Sequence, residues 1–174
     1  MASVLVLPGI GGSGPEHWQT LWERQHPEYR RVQVPDWDRP DVGEWVAALS
    51  AAVTTAAAPV VVVAHSLGCL TVAHYVGRGG RLAAALLVAV PDPTGPEFPV
   101  VAQSFDGFAR APFGFDSRVV ASRDDPYASF DFAAGCARAW GSALTDVGKA
   151  GHINAASGLG DWPAGQALLA DLLV

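Results

Sequence analysis

Val4–Leu7, Val60–Ala64 and Ala84–Val90 are short apolar runs, and Arg31–Val34 adds an alternating segment. Together they read as buried parallel strands, because a strand covered on both faces needs apolar side chains on both. Arg118–Ala121 and a segment around Ala143–Val147 complete a set of six. Helix-like stretches lie between them: Glu16–Gln25, Val42–Thr55, Leu67–Val76, Phe130–Trp140 and Ala164–Leu173. Pro15 suits the first position of the first helix, and Asp41 can cap the second. Strand and helix alternate. The expected fold is therefore α/β, a doubly wound, mostly parallel six-stranded sheet with helices on both faces. In such sheets ligands bind beyond the carboxyl ends of the strands, so any chemistry-bearing residue should follow a strand. Pro91–Pro112, with five prolines and no periodicity, follows the fourth strand and should overhang that crevice.

The chain has 174 residues, half of them apolar and 16% charged, a composition expected of one globular domain over residues 1–174. A net charge of −6 with scattered basic residues speaks against a nucleic-acid partner. Cys69 and Cys136 form neither a metal-ligand spacing nor a C-x-x-C pair, and they suggest a reduced, cytoplasmic setting. Val4–Leu7, cut off by Pro8-Gly9, is too short for a signal peptide or a membrane span. No cofactor, metal or protein partner is expected.

Ala64-His65-Ser66-Leu67-Gly68 joins a strand to a helix with a serine at the turn. This is the setting of the nucleophile elbow, G-x-S-x-G, with Ala64 in place of the first glycine. The substitution adds one methyl and is tolerable if Ala64 keeps an ordinary backbone conformation. A serine hydroxyl needs a base, and the elbow fold orders the chain as serine, acid, histidine. His152, in Gly151-His152-Ile153-Asn154, meets that order. His17 and His26 precede the serine, His65 is adjacent and should point away, and His74 lies roughly 12 Å along the helix at about 1.5 Å per residue. The acid should follow the fifth strand, where Asp124 and Asp125 stand together. Pro126 favours Asp125 by holding it extended, and Asp92 after the fourth strand is a further alternative. Two backbone amides must face the developing oxyanion. Leu67 supplies one, and Ile10, in the glycine-rich loop after the first strand, is the candidate for the other. Trp18, Trp22, Trp45 and Trp140 fall on helices as core residues, while Trp37 and Trp162 follow strand ends and could line a substrate pocket.

These stretches carry a resemblance. Pro8-Gly9-Ile10-Gly11-Gly12-Ser13-Gly14-Pro15-Glu16-His17-Trp18, Pro35-Asp36-Trp37, Ala64–Cys69, Ser122–Tyr127 and Gly151–Asn154 resemble the small serine hydrolase family of bacterial YdeN-like proteins and vertebrate retinoblastoma-binding protein nine. The resemblance runs nearly end to end. It implies a minimal, lidless α/β-hydrolase with its triad at Ser66, Asp125 and His152, cleaving small esters or amide and peptide bonds. The Leu-x-Cys-x-Glu motif implied by the vertebrate member's name is present only as Leu67-x-Cys69-x-Thr71, so that partner is not expected here.

Two rival functions remain open to the sequence. Gly9-x-Gly11-x-x-Gly14, with Asp36 downstream, spells a dinucleotide fingerprint, but Pro15 occupies a position where that helix should already be under way. A non-catalytic binding module of the same fold is the second. Metal-ligand clusters of the H-E-x-x-H type are not found, and adjacent Asp124 and Asp125 do not form the facing carboxylates of a glycosidase.

Overall fold

The computed structural model describes residues 2–173. Six strands, β1 (Ser3–Leu7), β2 (Arg30–Arg31), β3 (Val60–His65), β4 (Ala84–Val88), β5 (Asp116–Ala121) and β6 (Ala143–Asp146), form one sheet in the order β2-β1-β3-β4-β5-β6. Every pairing is parallel. β3 sits between β1 and β4, with Leu7 opposite Ala64 and His65 opposite Val88. The alternation of side chains along β3 explains its unbroken valines: Val60 and Val62 enter one core, Val61 and Val63 the other.

Five helices cover the sheet: α1 (Trp18–Gln25), α2 (Val42–Thr55), α3 (Leu67–Gly77), α4 (Phe130–Trp140) and α5 (Pro163–Ala170). Trp45 and Leu49 of α2, Leu70 of α3 and Cys136 and Trp140 of α4 share a core with Leu5, Leu7 and Val62. On the opposite face Trp18 and Trp22 of α1 and Leu169 of α5 pack on Val61, Val63, Leu86 and Val120. This is the α/β-hydrolase architecture in a small form. No helix among the described residues is long and apolar enough to cross a membrane.

Asp41 caps α2, its Oδ1 accepting from the Glu44 amide at 3.0 Å. Several boundaries differ from those expected of the sequence, three of them with a local cause. Pro15 does not open α1: the helix begins at Trp18, and His17 is its cap, Nδ1 accepting from the Gln19 amide at 3.2 Å. The second strand keeps only Arg30–Arg31 in the ladder, being an edge strand that pairs with β1 alone and soon meets Pro35. Val32 and Val34 are nonetheless buried. β4 ends at Val88, because Ala89 turns to φ 57° and takes the chain out of the sheet. Within Pro91–Pro112, Val100–Phe105 forms a 3-10 helix.

Candidate active site

Ser66 stands between the last residue of β3 and the first of α3, with φ 53° and ψ −121°. A non-glycine residue there carries strain on the order of 1–3 kcal/mol, and its neighbours hold it. Its amide donates to the Val88 carbonyl at 2.9 Å. Gly68 must be glycine, since a Cβ would fall onto the carbonyl oxygens of Leu7 and Pro8. Ala64 is fully buried within β3 and is not among the residues of positive φ, so the elbow turns without the first glycine of the motif.

The Ser66 hydroxyl lies 2.8 Å from His152 Nε2. His152 Nδ1 donates to Asp125, 2.9 Å from Oδ1 and 3.0 Å from Oδ2. That bond fixes the tautomer, leaving Nε2 to accept the serine proton. The Asp125 side chain is 4% exposed and that of His152 10%. Asp125 Oδ1 also accepts from the Tyr127 amide at 2.9 Å. Asp124 points elsewhere: its Oδ1 accepts from the Ser122 hydroxyl at 2.9 Å and the Gly151 amide at 2.8 Å. The Gly151 amide is the main reason its carboxyl is held below the ordinary range, with Ser122 adding to it. Asp92 closes its own turn, Oδ1 accepting from the Thr94 amide and hydroxyl.

The loop after β1 folds directly against the elbow. A Cβ on Gly9 would lie 2.9 Å from Ser66 Cβ and 3.3 Å from the Leu67 nitrogen. This brings Ile10 and Leu67 to the same spot, and among the described residues neither amide donates to a protein acceptor. The loop is a short 3-10 turn, Ile10–Gly12, and α1 begins only at Trp18, so the Gly9–Gly14 segment does not build a dinucleotide turn. Asp36 is likewise engaged locally, Oδ1 accepting from the amides of Asp38 and Arg39.

A cavity of about 530 Å³ opens over Ser66. Ile10, Leu67, Pro91, Phe98, Pro99 and Tyr127 supply most of its apolar wall. Pro91, Phe98 and Pro99 come from the irregular segment after β4, which does overhang the crevice. Trp37 and Trp162, expected at the pocket, are not in its wall. Trp37 packs beneath the β1 loop, where a Cβ on Gly12 would lie 3.0 Å from its ring, and stacks edge-on to Trp45. Trp162 turns into the core, 6% exposed, against Trp18 and Trp22. Following a strand end places the backbone near the crevice but does not decide which way a large ring turns.

Two histidines set aside in the sequence lie against His152 or its neighbour. His65, buried at the end of β3, donates from Nε2 to the backbone carbonyl of His152 at 2.9 Å. Its ring lies 4.9 Å from that of His152 and 4.6 Å from that of His17. Burial pushes the affinity of His65 for a proton well below the ordinary range, with His152 and His17 adding to the effect. His17 is pushed down to about 4 by burial first, then by Arg31 and His152. Both rings are therefore neutral near pH 7, and His17 Nε2 is buried without a partner. The only signal in the sequence was their proximity to motifs that mattered for other reasons.

Comparison with known proteins identifies the family and the fold. Residues 4–171 match the profile of a family described as serine hydrolase. A protein of Pectobacterium atrosepticum described as a YdeN-like hydrolase is 34% identical, with 99% of this chain and 90% of that chain covered and a TM-score of 0.90. The ydeN gene product of Bacillus subtilis shares the fold at 22% identity and a TM-score of 0.82, with 99% of each chain covered. So does the type II thioesterase BorB of the borrelidin biosynthetic cluster, at 16% identity and a TM-score of 0.69, covering 98% of this chain and 92% of that one. No curated protein matches. Over nearly its whole length, then, this chain belongs to the serine hydrolase family.

Proposed function

We propose that the protein hydrolyses small carboxylic esters, with amides or short peptides as slower substrates, through an acyl-enzyme formed on Ser66. The observation that carries this reading is the continuous relay Ser66–His152–Asp125, each step at hydrogen-bonding distance. Ser66 Oγ attacks the substrate carbonyl carbon while His152 Nε2 accepts its proton. The carbonyl oxygen becomes an oxyanion in front of the Ile10 and Leu67 amides. As the tetrahedral centre collapses, the bond to the leaving group breaks and His152 returns the proton to it. Water then repeats the sequence: His152 takes its proton, the hydroxide attacks the acyl carbon, and the proton goes back to Ser66 as the acid departs. Asp125 stays ionised throughout and stabilises the imidazolium.

The reading keeps the whole chain as one catalytic domain. Cys69 and Cys136 are free and buried, which suits a reducing compartment, and we place the protein in the cytoplasm.

A fluorophosphonate probe tests the mechanism directly. Wild type should be labelled at Ser66, and Ser66→Ala should be neither labelled nor active. Folded wild type that resists the probe and turns over no ester would mark a binding protein built on the hydrolase fold.

A further inference from the structure

Among the described residues few large apolar side chains are exposed, and three of those that are belong to the cavity wall or directly follow it in the chain. Ile10, 39% exposed, stands in the cavity wall; Val100 and Val101, 77% and 58% exposed, immediately follow Pro99 of the same wall. The two valines sit on a fixed support. Ala102 and Phe105 of their 3-10 helix are fully buried, and the Phe105 carbonyl accepts from His74 Nε2 at 2.9 Å. Two exposed apolar side chains thus follow the cavity wall directly along the chain.

The wall itself holds no aspartate, glutamate, lysine or arginine. Its histidines other than His152 are those held neutral by burial. Glu97, exposed beside Phe98 but outside the wall, is the nearest charge along this segment and is negative. A charged group carried into the cavity would meet no charged side chain in its wall.

We infer that the site takes an uncharged acyl chain of medium length, with its first carbons between Ile10 and Phe98 and its far end across Val100 and Val101. The inference rests on the acyl-transfer reading given above. Each methylene that leaves water for this surface favours binding, so a longer neutral chain is a better substrate than acetate until the rim is passed. A carboxylate or ammonium in the same chain removes that advantage.

The test uses the full-length protein and p-nitrophenyl esters kept below their micellar range: acetate, butyrate, octanoate and, as the anionic acyl group, the glutaric monoester. The kcat/KM should rise at least about tenfold from acetate to octanoate, and the glutarate should fall at least about tenfold below butyrate. Val100→Asp and Val101→Asp should lower the octanoate-to-acetate ratio several-fold. Leu144→Asp, an exposed apolar position on β6 remote from this rim, should leave the ratio unchanged. A flat chain-length profile, a glutarate turned over like butyrate, or a ratio insensitive to both valine variants would each overturn the inference. Fluorophosphonate labelling separates the two levels. A labelled Ser66 with a flat profile removes the acyl-chain assignment alone, whereas an unlabelled, inactive protein removes the assignment and the mechanism together.

Discussion

The imidazole of His65 donates to the main-chain carbonyl of His152 across 87 residues of sequence. The residue before Ser66 thereby holds the backbone of His152. The next carbonyl, that of Ile153, accepts from Trp18 Nε1 at 2.8 Å. Ile153 itself sits at φ 48°, a costly conformation for a β-branched side chain. Donors from β3 and α1 thus moor two successive carbonyls around a strained residue, and the imidazole of His152 is aimed as a result.

His65→Leu removes one mooring and leaves a buried carbonyl unpaired, costing roughly 1–3 kcal/mol of stability. The expected kinetic effect is a fall in kcat of about tenfold with KM little changed, because the base is misplaced and the cavity is not. His65→Gln, which keeps a side-chain N–H, should recover part of the loss. Steady-state kinetics with circular dichroism to verify folding decide the matter. A stable His65→Leu with unaltered kcat would show that the mooring has no catalytic consequence.

The two neighbouring aspartates should separate sharply. Asp125→Asn weakens the hold on the tautomer and the imidazolium, and its kcat should drop by roughly 10³–10⁴. Asp124 steadies the histidine loop only through Ser122 and Gly151, so Asp124→Asn should cost about tenfold or less. Comparing kcat for the two variants checks the assignment, and the reverse order of severity would contradict it.

Gly68 and Gly14 make a paired test of the elbow against the dinucleotide fingerprint. Gly68→Ala drives a methyl into the Leu7 and Pro8 carbonyls and should destabilise the fold by more than about 2 kcal/mol. Gly14 has open space where a Cβ would stand and no positive φ, so Gly14→Ala should change stability by less than about 0.5 kcal/mol. Urea unfolding of the two variants provides the comparison. A strongly destabilised Gly14→Ala would mean that this glycine is needed for close packing after all.

Stability should depend on pH through His17. In the unfolded chain this residue binds a proton near 6.5, in the folded protein only near about 4. Between those values the unfolded state binds more protons, so stability is full above 6.5 and declines as the pH falls toward 4. The shift corresponds to about 3 kcal/mol across the whole window. His65, lowered in the same sense, steepens the decline. His17→Asn retains a side chain that can cap α1 and does not titrate, so it should lose less stability than wild type between pH 7 and pH 5 in urea melts. Equal losses would place the acid sensitivity elsewhere.

Much of this arrangement was legible in the residues. The runs Val4–Leu7 and Val60–Ala64 announced strands covered on both faces, and the chain order of Ser66, Asp125 and His152 matched the order in which their strands deliver them. Pro126 and the family resemblance favoured Asp125 over Asp124, and it is Asp125 that lies within hydrogen-bonding distance of His152. The start of α1 was less visible, because a histidine cap is uncommon and Pro15 offered a better-known signal. Trp162 was misjudged because its inward turn depends on the rings of Trp18 and Trp22, far away in the sequence. His65 was passed over for the same reason: its partner lies in another loop. Local chemistry wrote the elements and the serine turn, whereas long-range contacts decided how His152 is held.

The position of β6 at the border of the sheet has one more consequence. It pairs only with β5 and is largely exposed, so its amides belong to the part of the sheet that opens most readily. The chain runs from β6 into the loop of His152, and beyond the Gly148 amide held by Asp146 that loop is tied to Ser122 and Asp124 after β5, to His65 at the end of β3 and to Trp18 of α1. With most of these ties lying away from the margin, hydrogen exchange along the last strand is expected to proceed without loosening the imidazole that follows it.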